Sequence, residues 1–155
     1  RPEQMVIDRK EIPAAIEANN GAYVYKKFSG KGNKLVLAIS GMQVLKNTLE
    51  ILPELEAQGM DIKIIAVTSP ELFEDLRKTN LEKAQSILSD EERSLVVTLH
   101  NGWPGFLYPF MLDANYDKKA IGITKYLKSG GVEEVYDLAE MNPSDIKEKI
   151  LKAIK

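Results

Sequence analysis

Three apolar runs constrain this chain more than any other feature: "KLVLAIS" (34–40), "DIKIIAVT" (61–68) and "SLVVTLH" (94–100). Runs this short and this continuous are what a strand covered on both faces needs, because neither side turns to water. Between the first two, Val44, Leu45, Leu49, Leu52 and Leu55 recur at a period near 3.6 and mark one helix face. Strands alternating with helices imply right-handed crossovers, hence a mainly parallel sheet with helices on both sides. The fold class is α/β.

Local signals sharpen the boundaries. "AYVYKKF" (22–28) is β-prone and is broken by "SGKGN". Pro53 falls inside the first helical pattern, where it removes the bond to the Leu49 carbonyl, so a kink or break is expected there. Gly59 supplies the stop. Ser69 reads as an N-cap with Pro70 in the first helical position, and "NLEKAQSIL" continues or restarts that helix with Leu81, Ala84, Ile87 and Leu88 on one side. "KAIGIT" (119–124) is a short further strand, and "VEEVYDLAEM" is helical. The closing helix is capped by Asn142, opened by Pro143 and carries Asp145 in its first turn, with Ile146, Ile150 and Ile154 expected to face inward.

At 155 residues the chain has the length of one domain. Its net charge of -2 gives no general attraction to nucleic acid or anionic membrane. No apolar run approaches the roughly 20 residues that cross a bilayer. With no cysteine, disulfides, thiolate zinc sites and thiol catalysis are excluded, which fits a cytoplasmic protein. The start, "RPEQMVIDRKEIP", is charged and holds two prolines, so residues 1–20 read as a linker or N-terminal extension and the chain as a piece of a longer polypeptide or a processed product.

Chemistry-bearing residues are few. Open parallel sheets bind ligands beyond the carboxyl ends of their strands, where strand order reverses. Ser40-Gly41 leads from one strand into a helix N-terminus, where free N–H groups favour an anion; the same geometry also makes an ordinary turn. His100-Asn101 follows another strand, and the two pairs come together if those strands are neighbours. His100 is the sole histidine, so a histidine-based metal site has no second ligand. It is open as a general base or as a packed or interface residue. "GKGNK" lacks the spacing of a phosphate-binding loop and precedes a strand instead of following one. No Gly-x-Ser-x-Gly element accompanies His100 to make a free-standing hydrolase. Glu71, Glu74 and Asp75 read as helix capping and solvation.

The segment "LHNGWPGFLYPF" (99–110) gathers four of the chain's eleven aromatics: Trp103, Phe106, Tyr108 and Phe110. Glycine and proline make it turn sharply. The aromatics read either as internal core or as an interface patch facing a partner.

In order, "GAYVYKKF…KLVLAISGMQVLKNTLEILPELEAQGMDIKIIAVTSPELFEDL" and "GITKYLKSGGVEEVYDLAEMNPSDI" resemble the C-terminal domain of transketolase. Ser40-Gly41, Gly59, Ser69-Pro70 and Leu72-Phe73 carry the first part; Gly122, Ser129, Val135-Tyr136 and Ile146 carry the second. The resemblance runs from about residue 20 to the end, so the domain is taken as 21–155. Two departures stand out. Leu99-His100-Asn101 replaces an acidic residue and histidine, and Tyr126-Leu127 replaces Phe-Gly. They leave open a related branch, such as the decarboxylating component of a 2-oxoacid dehydrogenase.

The resemblance implies a three-layer α/β/α domain with a five-stranded sheet, order 1-3-2-4-5, its first strand antiparallel. That order would put Ser40, Gly41, His100 and Asn101 at one switch point as a candidate ligand site. It also implies a non-catalytic role in stability and homodimer packing, with no cofactor in this chain. Thiamine diphosphate and Mg²⁺ would be held by other domains of the parent, through a Gly-Asp-Gly motif that this chain lacks. The parent would move two-carbon ketol units between sugar phosphates. A second reading is a regulatory module binding phosphate or nucleotide at Ser40-Gly41 beside His100.

Overall fold

The computed structural model describes Lys10, Pro13 and residues 15–155. The other positions of the expected linker lie outside the described residues. Five strands form one sheet: β1 (Ala22–Lys26), β2 (Asn33–Ser40), β3 (Met60–Val67), β4 (Val96–His100) and β5 (Ala120–Ile121). Their order is β1-β3-β2-β4-β5. β1 runs antiparallel to β3, whereas β2 pairs parallel with both β3 and β4, and β4 with β5. The sheet is therefore the one the resemblance implied.

Pleating decides which residues of β2 face which layer, because successive side chains point to opposite faces. Leu35, Leu37 and Ile39 share one buried cluster with Val44, Leu45, Ile51 and Leu55 of α1 (Met42–Ala57) and Ile146, Ile150 and Ala153 of α6 (Pro143–Ala153). Ala139, the last residue of α5 (Val132–Ala139), joins the same layer. Val36 and Ala38 face the other cluster, with Phe73 of α2 (Pro70–Thr79) and Ala84 and Ile87 of α3 (Leu81–Ile87). That layer is completed by a 3-10 helix, Pro104–Phe110. A single turn of helix, α4 (Tyr116–Lys119), leads into β5.

The helix starts follow their local chemistry. The Ser69 hydroxyl accepts from the Leu72 N–H at 3.2 Å, and the Asn80 side chain restarts α3 by accepting from the Lys83 N–H at 3.1 Å. The Asn142 N–H donates to the Asp145 carboxylate at 3.1 Å, one half of a capping box. Three expectations fail. α1 runs unbroken through Pro53 to Ala57; Pro53 is exposed, so the carbonyl it cannot bond lies toward water rather than in the core. Leu81 is 57% exposed because it sits on the first turn of α3, outside the buried line of Ala84 and Ile87. Ile154 is 42% exposed because α6 ends at Ala153, before the helix can carry it inward.

Charged residues inside β3 are paired, as burial requires. Asp61 accepts from the Ser29 N–H (2.7 Å), the Ser29 hydroxyl (3.0 Å) and the Gly30 N–H (2.9 Å), pinning the β1–β2 turn to β3. Burial pushes its pKa up, but those hydrogen bonds and the Lys26 charge outweigh it and hold the carboxyl below its ordinary value. Lys63 donates to both carboxylate oxygens of Glu92, at 2.9 and 2.7 Å. On the edge, Ala15–Asn20 forms a 3-10 helix tied to the domain by Thr68 Oγ1 donating to the Ala18 carbonyl (2.8 Å) and by a Lys83–Glu17 ion pair (2.8 Å).

Candidate functional site

The switch point lies where β2 and β4 end side by side, since the chain leaves β2 toward β3 on one side and returns to β4 on the other. Ser40 and His100 are register partners there. Gly41 precedes α1 with φ 113°, a conformation that side chains resist, and no side chain caps that helix start. A Cβ built on Gly41 would lie 2.7 Å from Asn101 Oδ1. The four candidate residues Ser40, Gly41, His100 and Asn101 are thus brought together.

Their chemistry is limited. His100 Nδ1 lies 3.2 Å from the Trp103 carbonyl, which can only accept, so that nitrogen carries the proton. The ring stacks on Phe106 with centroids 4.8 Å apart. Gly102 makes room beneath it, for a Cβ there would meet His100 Cε1 at 2.9 Å. Among the described residues no hydrogen bond joins Ser40 to His100, so no nucleophile–base pair is formed. The Asn101 carboxamide occupies the space over Gly41. Thiamine diphosphate and Mg²⁺ do not fit this set: Asn101 fills the space beside Gly41, no charged side chain is supplied for a diphosphate's metal, and no three His, Cys, Asp or Glu residues cluster for a cation among the described residues.

The aromatic segment divides by the three-residue period of its 3-10 helix, in which side chains at i and i+3 eclipse. Pro104, Leu107 and Phe110 are buried in this chain's own core, with Phe110 stacked on Phe73 at 4.7 Å. Phe110 is fully buried, so it belongs to the core and does not present itself to a partner. Trp103, Phe106 and Pro109 form the next row. They line a groove of about 480 Å³ whose opposite wall is α2, with Pro70, Glu71, Glu74, Asp75 and Lys78. Trp103 is 65% exposed. Tyr108 lies between Trp103 (centroids 5.8 Å) and Tyr116 (3.9 Å), and the Tyr116 hydroxyl donates to Asp113 at 2.7 Å, which pushes its pKa up.

Sequence reasoning missed the acidic wall of this groove. Glu71, Glu74, Asp75 and Lys78 stand at i, i+3, i+4 and i+7, one helix face, and that spacing was the available signal.

Strand order, antiparallel edge and two helical layers define an open α/β domain with its switch point between β2 and β4. Its particular form is a transketolase C-terminal-like domain. Transketolase from Campylobacter jejuni superposes with a TM-score of 0.66 at 25% identity, over 96% of this chain and 20% of that one. A transketolase variant from Pichia stipitis gives 0.67 at 19% identity, over 93% of this chain and 19% of its own. A split-gene transketolase in an inactive tetramer gives 0.61 at 16% identity, over 99% of this chain and 46% of that one. The chain thus spans about a fifth of the first two and under half of the third. No protein-family profile and no curated protein sequence matches it.

Proposed function

We propose that this chain is the non-catalytic C-terminal domain of a transketolase-like transferase, serving stability and homodimer packing in the cytoplasm. The parent enzyme would move two-carbon ketol units between sugar phosphates, with thiamine diphosphate and Mg²⁺ held by companion domains in the same or a separate chain. The observation that carries this is the likeness to transketolases over nearly the whole of this chain but only about a fifth of theirs. The lack of a nucleophile–base pair between Ser40 and His100 at the switch point supports it, since a catalytic centre needs groups aimed at a reacting atom. Calorimetry of the isolated chain with Mg²⁺ and thiamine diphosphate should give no heat of binding. Tight Mg²⁺-dependent binding would refute the reading.

A second reading keeps Ser40, Gly41, His100 and Asn101 as a phosphate or nucleotide site of a regulatory module. Their convergence at an uncapped helix start favours it. Inorganic phosphate or a nucleotide at millimolar concentration should then raise Tm. An unchanged Tm for each removes it.

A further inference from the structure

We infer that the groove between α2 and the Pro104–Phe110 helix is a docking site for an arginine side chain of a partner protein. Groove chemistry alone carries this, whichever enzyme the chain serves.

One wall is aromatic and held in place. The benzo ring of Trp103 lies over Gly105, where a Cβ would come within 2.2 Å of Cη2 and Cζ2, so only glycine lets the indole rest there. Tyr108 steadies it from the side. Phe106 is fixed by its stack on His100, and Pro109 extends the same row. The indole is thereby braced beneath while 65% of Trp103 remains in water.

The other wall is acidic. Three carboxylates and one ammonium line it, so its charge is opposite to an arginine's. Glu74 is held by Arg77 at 3.1 Å, and Asp75 faces Lys78 at 3.6 Å. Glu71 accepts from the Ser69 hydroxyl at 3.0 Å and has no cationic partner among the described residues. A guanidinium suits both walls at once: its plane stacks on an indole, and its forked N–H groups reach a carboxylate. An ammonium offers no such plane, and an anion would be repelled.

Trp103 is the sole tryptophan, so its indole N–H resonance and its fluorescence report this groove directly. The probe is acetyl-Gly-Arg-Gly-Arg-Gly-amide, compared with the same peptide bearing citrulline, which keeps shape and loses charge. The arginine peptide should shift the indole resonance saturably, less as salt rises, and the citrulline peptide should not. Glu71→Gln, an exposed substitution, should weaken the response about two- to fivefold, the order of one solvent-exposed charge contact. Glu82→Gln, on the first turn of α3, should leave it unchanged and so controls for net charge. Equal response to both peptides, no response, or equal loss in Glu71→Gln and Glu82→Gln overturns the proposal. So does a concentration-dependent indole shift without peptide that tracks dimer formation in sedimentation, which would make a second copy the occupant.

Discussion

Replacing Phe110 with alanine tests whether the aromatic segment belongs to this chain's core. The ring is fully buried and stacks on Phe73 at 4.7 Å with an interplanar angle of 17°. Truncating a core phenylalanine costs about 3–5 kcal/mol, from lost transfer energy and from the cavity left behind. The stacked pair accounts for about 0.5–1.5 kcal/mol of that. With a urea m-value of about 2 kcal/mol/M for a domain of this size, Phe110→Ala should lower the unfolding midpoint by about 2 M. Trp103→Ala, in the exposed row beside it, should cost well under half as much, because 65% of Trp103 already lies in water. Adding Phe73→Ala to Phe110→Ala should cost less than the sum of the singles, by about 1 kcal/mol, because the stack is lost only once. A Phe110→Ala midpoint within about 0.5 M of the parent would refute the core assignment, as would strict additivity of the pair.

Three other perturbations read separate parts of the fold. Gly41→Ala forces a side chain into φ 113° and against Asn101, so it should destabilise by about 1–3 kcal/mol in the same urea assay. Adding Asn101→Gly should recover part of that loss but not the backbone share, and a neutral Gly41→Ala would show that the turn is not strained. Pro53→Ala restores the bond to the Leu49 carbonyl and should raise Tm, with a gain of about 1–2 kcal/mol after the added chain freedom of the unfolded state is subtracted; a lower Tm would contradict the helix as described. Asp61 has a folded pKa below its unfolded value, so its stabilisation is complete above roughly pH 4 and drains as pH falls through the folded pKa. The parent chain should therefore lose stability more steeply below about pH 4 than Asp61→Asn does, and parallel acid limbs would mean that the Ser29–Gly30 clip contributes nothing.

The strands and helix starts were legible because their causes are local: two-sided burial makes the runs of β2, β3 and β4 apolar, and Ser69-Pro70 and Asn142-Pro143 carry their caps beside them. Strand order was not local. Composition and spacing gave only a parallel sheet, and the order that sets Ser40 against His100 came from the family resemblance. Pro53 misled because its penalty depends on which side of the helix it occupies, and that is fixed by packing.

The aromatic segment shows most clearly why a site can be visible in residue types and hidden in arrangement. Read as a loop, its four aromatics have no assigned direction, and core and partner surface both remain open. Read at the 3-10 period, the same residues separate: Pro104, Leu107 and Phe110 turn inward, while Trp103, Phe106 and Pro109 form an outward row. Pro104 opens this helix where its missing N–H has no helical partner, and Pro109 inside it forgoes one bond, in keeping with a helix this short. The acidic row of α2 then acquires a different meaning. Glu71, Glu74 and Asp75 on a free helix would be capping and solvation; opposite a braced, exposed indole they become half of a binding groove. Neither row alone specifies a ligand. Their juxtaposition depends on α2 and the Pro104–Phe110 helix packing on one sheet face, where Phe73 and Phe110 join them.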